Sequence, residues 1–177
     1  MDLKTAITLI QSPKIKSNAP TTWSDLGCGS GLFTKALSIL LQPGSKIIAV
    51  DKDASALKTV NVTNGIILEK LHANFINDKF PLQNLDGILM ANALHFVKDK
   101  KAFIKRLRSH VNDTASFLLV EYDTDESNSW VPYPLTVEGW QKIFEEAGYS
   151  QYEEINRYPS VYRRADIVGM CFTGQEP

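Results

Sequence analysis

A chain of 177 residues is long enough for one substantial hydrophobic core and leaves little room for a second. With 44% hydrophobic and 22% charged residues and a net charge of -1, it has a globular composition and lacks the general basicity of a nucleic-acid binder. Two cysteines, Cys28 and Cys171, give neither a disulfide framework nor metal-ligand spacing, and no apolar run approaches the ~18–20 residues of a membrane span.

Leu3, Ile7 and Ile10 recur at the i, i+4, i+7 spacing of a short amphipathic helix over residues 1–12. That segment has no continuous apolar stretch and no small-residue cleavage site, so a cytoplasmic protein without a membrane partner is expected. Residues 21–26 read as a strand entering a glycine turn, and 32–41 as a buried helix stopped by Gln42, Pro43 and Gly44. Residues 46–50 are a β-branched run ending at Asp51. Asp53 can cap a helix to about residue 62, before the turn signal Asn64-Gly65.

Strands follow at 66–73 and 86–91, with the intervening 76–85 too short for a full helical crossover. A helix over 98–111 turns Phe103, Ile104 and Leu107 inward. A fifth strand covers 116–122, and a helix over 136–147 ends at Gly148. The tail reads as strands at 149–157 and 161–172 joined around Pro159 and Ser160. The alternation predicts an α/β fold: a doubly wound, mainly parallel seven-stranded sheet, helices on both faces, and a C-terminal antiparallel hairpin at its edge.

The first strand end carries Asp25-Leu26-Gly27-Cys28-Gly29-Ser30-Gly31. Three glycines let the backbone approach a ligand where open parallel sheets bind one. The dinucleotide fingerprint fails in both registers, because its third glycine would fall on Leu32 or Thr34. The hydrolase elbow fails too, with Gly29 where its serine belongs. Asp25 would disfavour a pyrophosphate and suits a cationic ligand. Asp51, ending the second strand, can accept from both hydroxyls of a ribose. Cys28 matters there for its small size rather than its thiol.

With these residues the chain resembles the class I, seven-stranded, Rossmann-like S-adenosylmethionine-dependent methyltransferases, over residues 23–172. The resemblance implies S-adenosylmethionine as cofactor and S-adenosylhomocysteine as product. It implies a cofactor site of Asp25, Gly27, Cys28, Gly29, Gly31, Asp51, Lys52, Asn74, Phe75 and Asn92. Asn74 stands where the family usually has an acid that accepts from the adenine amino group, and its side-chain oxygen can still accept. The backbone N–H of Phe75 would meet the adenine ring. Residues 92–96 would lie against the methionine moiety and the substrate. Glu121-Tyr122-Asp123, Asn128 and Trp130-Val131-Pro132-Tyr133-Pro134 look like a group of small bacterial methyltransferases.

A sulfonium already activates the methyl group, so transfer is an in-line displacement whose main demand is alignment, worth ~7–11 kcal/mol of barrier. A general base is needed only for a nucleophile that arrives protonated. His95 and Tyr122 are the candidate catalytic residues, and His95, Tyr122, Trp130 and Tyr133 the candidate substrate contacts. Competing readings make His95 a wall residue, Glu121 and Asp123 solvated strand-end acids, and the Trp130 loop a core-packing segment. His72 reads as structural and no metal site is expected. Lys98, Lys100, Lys101, Lys105, Arg106 and Arg108 read as the solvated face of one helix.

The chain is therefore expected to be one domain, with 1–20 a cap helix and linker partly covering the cofactor and 21–177 the core. A small-molecule acceptor is favoured, with nucleic acid disfavoured because Asn92 lacks the Pro-Pro-aromatic continuation of base methyltransferases. A homodimer or partner subunit would close an otherwise open site. The rivals are a non-catalytic S-adenosylmethionine-binding sensor or scaffold, an RNA or protein methyltransferase, and a nicotinamide-dependent oxidoreductase.

Overall fold

A computed structural model describes residues 1–78, 81–159 and 165–175. Its seven strands are β1 (Thr22–Leu26), β2 (Lys46–Asp51), β3 (Ile67–His72), β4 (Leu85–Ala91), β5 (Val111–Tyr122), β6 (Tyr149–Pro159) and β7 (Asp166–Gln175). They form one sheet in the order β3-β2-β1-β4-β5-β7-β6. The first five pair in parallel, while β7 pairs antiparallel with both β5 and β6. The chain winds outward from β1 to β3, then returns to lay β4 on the other side of β1. That reversal opens a crevice at the carboxyl ends of β1 and β4, where open α/β sheets hold ligands.

The helices are α1 (Leu3–Ile10), α2 (Leu32–Leu40), α3 (Ala54–Thr59), α4 (Lys100–Leu107) and α5 (Val137–Glu146). Ala6, Leu9 and Ile10 of α1 and Ala36 and Leu37 of α2 are fully buried in one core with Trp23, Leu89 and Leu118. Phe103, Ile104 and Leu107 of α4 and Trp140 and Phe144 of α5 fill another with Ile88, Phe117 and Phe172. Central strands covered on both faces must be apolar on both, which explains the nearly continuous burial of β2 and β4. Helix α1 packs on α2, β5, β6 and β7 as a layer of this core.

Side-chain caps fix the helix starts. Asp2, Asp53, Asp99 and Thr136 each accept from a backbone N–H of the following turn. Gly148, with φ of 93°, closes α5 as the sequence implies. Among the described residues no helix lies between β3 and β4, in keeping with the short connection.

Three boundaries are corrected. Strand β5 begins at Val111, not 116, because Val111 pairs with Leu85 across a register shift before the ladder resumes at Gly87 and Ser116. Helix α4 stops at Leu107 and continues as a 3-10 turn, Arg108–His110. Strand β6 runs on to Pro159 and β7 pairs with it from Asp166; the expected joint at Ser160 and strand start at 161 lie outside the described residues. No helix among the described residues is long and apolar enough to cross a membrane.

Candidate functional site

At the end of β1 the N–H groups of Gly27 and Cys28 both donate to the Val50 carbonyl, at 2.8 and 3.1 Å, so the turn is sewn to the end of β2. Gly27 has φ of +81°, and a Cβ there would lie 2.7 Å from Ala93 Cβ and 3.0 Å from the Phe75 ring. Only glycine fits between those two walls. Gly29 is the reverse case: a Cβ would meet nothing within 4 Å. Its vacant side faces open space, a cradle that a side chain would fill. Gly31 caps α2 and its carbonyl accepts from Lys35.

Asp51 ties this turn to the second strand end. Its carboxylate accepts from Gly29 N at 2.7 Å and from Asp53 N at 2.8 Å. A carboxylate offers about four lone-pair sites, so acceptors remain for a ribose diol. Lys52 is exposed, and its carbonyl accepts from His72 Nε2 at 3.0 Å, which makes His72 structural as expected.

Asp25 is 1% exposed, and its carboxylate accepts from Thr34 Oγ1 at 2.6 Å. It therefore influences a cation at the turn by its charge and not by a contact. Burial pushes its carboxyl up to about 7, with the Thr34 bond opposing and the Asp51 charge reinforcing the rise. Burial likewise drives the Cys28 thiol far above its ordinary range, which disfavours a nucleophilic thiolate.

After β3, Asn74 Oδ1 accepts from Ile76 N at 3.0 Å, and Asn74 N donates to Asp78 at 2.7 Å. Helix α4 holds this loop from outside. The Arg106 guanidinium donates to the carbonyls of Phe75 (2.8 Å) and Ile76 (3.1 and 3.2 Å) and lies over the Phe103 ring. The basic run on α4 is thus not a uniformly solvated face, and Arg106 and Arg108, which donates to Ala147 O, brace loops.

Lys100 corrects that reading further. It is 5% exposed, donates to Val97 O at 2.8 Å, and places its ammonium 5.5 Å above the Tyr133 ring and 5.6 Å above that of Trp140. Burial lowers its ammonium to about 8, while the charge of Glu121 pulls it back up.

Asn92 ends β4 in the left-handed region, with φ of 51°, its N–H donating to Val120 O. Its side-chain oxygen is sealed from solvent and has no partner, an expensive arrangement unless a ligand donor meets it. One turn on, Glu121 gathers the chain. Its Oε1 accepts from the N–H groups of Ala93, Leu94 and His95 at 3.1, 2.9 and 3.1 Å, and its Oε2 lies 2.7 Å from His95 Nδ1. At 1% exposure Glu121 is not the solvated strand-end acid read from sequence, and His95 is 3% exposed.

The rim above is aromatic. Phe96 lies tilted against His95, with ring centroids 4.4 Å apart, and is 46% exposed, Tyr133 is 41% exposed, and Trp130 is 82% exposed. Tyr133 N donates to the His95 carbonyl at 3.1 Å, so the two loops share one edge. Asn128 Oδ1 accepts from both Trp130 N and Val131 N, a tight turn that carries the indole outward instead of into the core. Tyr122 is not gathered here. It packs with the α1 and α2 core, across β5 from Glu121, as strand alternation requires.

Sequence reasoning reached the turn residues and His95 but missed the work of Lys100, Arg106 and Glu121. The one available signal was Glu121 ending the apolar run Phe117-Leu118-Leu119-Val120. Among the described residues no three His, Cys, Asp or Glu side chains are grouped to hold a metal ion. A shallow depression of about 510 Å³ lies between α4 and α5, lined by Lys98, Lys100, Leu135 and Ile143 among others, and includes no residue of the glycine turn.

A family profile for a methyltransferase domain matches residues 24–117. No curated protein sequence matches the chain significantly. Among solved structures it is similar to YcgJ of Bacillus subtilis (15% identity, 99% of this chain and 97% of that one, TM-score 0.68). It is also similar to an S-adenosylmethionine-dependent methyltransferase of Thermotoga maritima (14% identity, 98% and 87%, TM-score 0.65). A third is the N-terminal domain of EvdMO1 with S-adenosylhomocysteine bound (17% identity, 88% and 75%, TM-score 0.63).

Proposed function

The chain belongs to the methyltransferase-domain family and is an S-adenosylmethionine-dependent methyltransferase; from that premise we propose that it methylates a small, flat acceptor seated on the rim formed by residues 92–97 and 123–136. One observation carries this reading. Phe96, Trp130 and Tyr133 are exposed aromatics on two loops joined by the Tyr133-to-His95 backbone bond. Aromatic faces left in solvent at a crevice mouth suit a planar apolar ligand better than a phosphate backbone.

S-adenosylmethionine supplies a methyl carbon made electrophilic by the attached sulfonium. Asp51 is assigned to the ribose, the backbone of Gly27, Cys28, Gly29 and Gly31 to the amino-acid portion, and Asn74 and Phe75 to the base. Lys52 borders the ribose, and Asn92 offers its orphaned oxygen to the methionine ammonium. Asp25, buried behind the turn, adds negative charge there only in its ionised form, which burial confines to pH values above about 7. His95 stands at the acceptor side, with the rim excluding water and orienting the nucleophile for in-line displacement.

A panel of phenols, catechols and aromatic amines tested with isotopically labelled S-adenosylmethionine checks the acceptor class. Transfer to a member of the panel, with an elevated KM in Trp130→Ala, is expected. Labelling of RNA or protein with none of the panel would refute the small-molecule acceptor.

A further inference from the structure

The four donors that converge on Glu121 come from one short turn and one ring, all 26–28 residues upstream. Three backbone N–H groups converging on Oε1 favour the ionised carboxylate, and between a carboxylate oxygen and an imidazole nitrogen the shared hydrogen rests on the nitrogen, the stronger base. The ring nitrogen must then donate: Nδ1 of His95 carries hydrogen. In the neutral imidazole the other nitrogen, Nε2, is left as an acceptor. No described residue makes a hydrogen bond with Nε2. Nor is Nε2 among the sealed, partnerless side-chain polar atoms of the described residues, which are Asn92 Oδ1, Trp140 Nε1 and Tyr152 Oη. Nε2 is therefore not fully closed off, although the residue as a whole is 3% exposed.

We infer that Glu121 is a positioning residue that fixes His95 in the Nδ1–H tautomer, making Nε2 a proton acceptor for a methyl acceptor that arrives bearing O–H or N–H. The inference rests on the reading of residues 92–97 as the acceptor side. In the step, the nucleophile's lone pair forms the new bond to the methyl carbon while the carbon–sulfur pair stays on sulfur as a neutral thioether. The nucleophile's proton passes to Nε2, and the resulting imidazolium sits against the Glu121 carboxylate until water takes the proton. An acceptor that is already an anion gains nothing from this arrangement. The substrate class is thereby narrowed to alcohols, phenols or amines.

Glu121→Gln is the discriminating variant. Its amide oxygen can still accept from Ala93, Leu94 and His95, but its NH₂ faces Nδ1 as a donor and forces the proton onto Nε2. Nitrogen NMR of the labelled full chain reads the tautomer directly, with S-adenosylhomocysteine as the probe for the cofactor site. The expected result is an Nδ1–H ring in the wild type, an Nε2–H ring in Glu121→Gln, and S-adenosylhomocysteine affinities within about twofold of each other. With a phenol from the panel, kcat is expected to fall by ~10²–10⁴-fold, with KM little changed. An Nε2–H ring in the wild type, readable even if the variant does not fold, overturns the inference. So does a Glu121→Gln enzyme with unaltered kcat. Failure of the wild type to bind S-adenosylhomocysteine would instead strike the assignment of the cofactor site, leaving the tautomer result to stand separately.

Discussion

The two halves of the crevice are built from different materials. The half under β1 and β2 is mostly backbone: glycines without side chains, N–H groups sewn to Val50 O, and one strand-end carboxylate, Asp51, in front of the buried Asp25. The half under β4 and β5 is side chain: Glu121, His95 and Lys100, all nearly sealed, with Glu121 and His95 paired across 26 residues and Lys100 set beneath the Tyr133 and Trp140 rings. A ligand common to a whole family can be met by backbone, which every sequence shares. An acceptor that differs between enzymes needs side chains, and buried charges hold them in place. The contrast predicts that damage on the second side costs folding, while damage on the first costs binding.

Glu121→Ala is the severest challenge to that contrast. It strips four donors of their acceptor inside the protein, and about 3–5 kcal/mol of stability should be lost, measurable by urea unfolding. A loss under about 1 kcal/mol would mean that the β4 turn holds itself.

Asp25→Asn tests the cofactor half by pH. The folded carboxyl titrates near 7 against an ordinary 3.8, so below pH 3.8 both states are protonated and the contribution is complete. Between about pH 4 and 7 the unfolded chain loses this proton first, and stability falls as pH rises; above 7 the difference levels off. Asparagine can still accept from Thr34 and never ionises. The variant should be more stable than wild type at pH 7.5, by at most about 4 kcal/mol, with a smaller fall between pH 4 and 7. Parallel stability curves for the two proteins would discard the buried titration.

Asp51→Ala should still fold, with a loss of about 1–2 kcal/mol from the two backbone donors it leaves to water, but lose about 10²-fold or more in S-adenosylhomocysteine affinity by calorimetry, since two ligand hydrogen bonds to a charged group are worth about 1.5–3 kcal/mol each. Unchanged affinity would remove Asp51 from the site. The smallest effect is expected at Trp130→Ala. An indole that is 82% exposed contributes within about 0.5 kcal/mol to folding, so its thermal midpoint should hardly move while the acceptor KM rises.

Backbone construction is also why the first half was legible. Glycine spacing, Gln42-Pro43-Gly44, Asn64-Gly65 and the Asp53 cap are local signals, and they placed β1, α2 and β2. Asn112, Asp113 and Thr114 have the composition of a turn and hide the start of β5; pairing of Val111 with Leu85 overrides that composition. Lys100 stood in a basic run, and nothing nearby in sequence reveals that Tyr133 and Trp140 close over it. Glu121 looked solvated because its four partners lie a strand and a helix away. Side-chain networks leave no fixed spacing to read.

Helix α4 touches both halves, through Lys100 under the aromatic rim and Arg106 on the loop after β3. Six residues separate the two side chains along the helix, and at about 1.5 Å per residue they are set roughly 9 Å apart. The helix is in effect a gauge block between the loop proposed to meet the cofactor's base and the rim proposed to seat the acceptor. One inserted residue would rotate one grip by about 100° relative to the other. Length changes in this protein should therefore be accommodated in its loops, while α4 keeps its count.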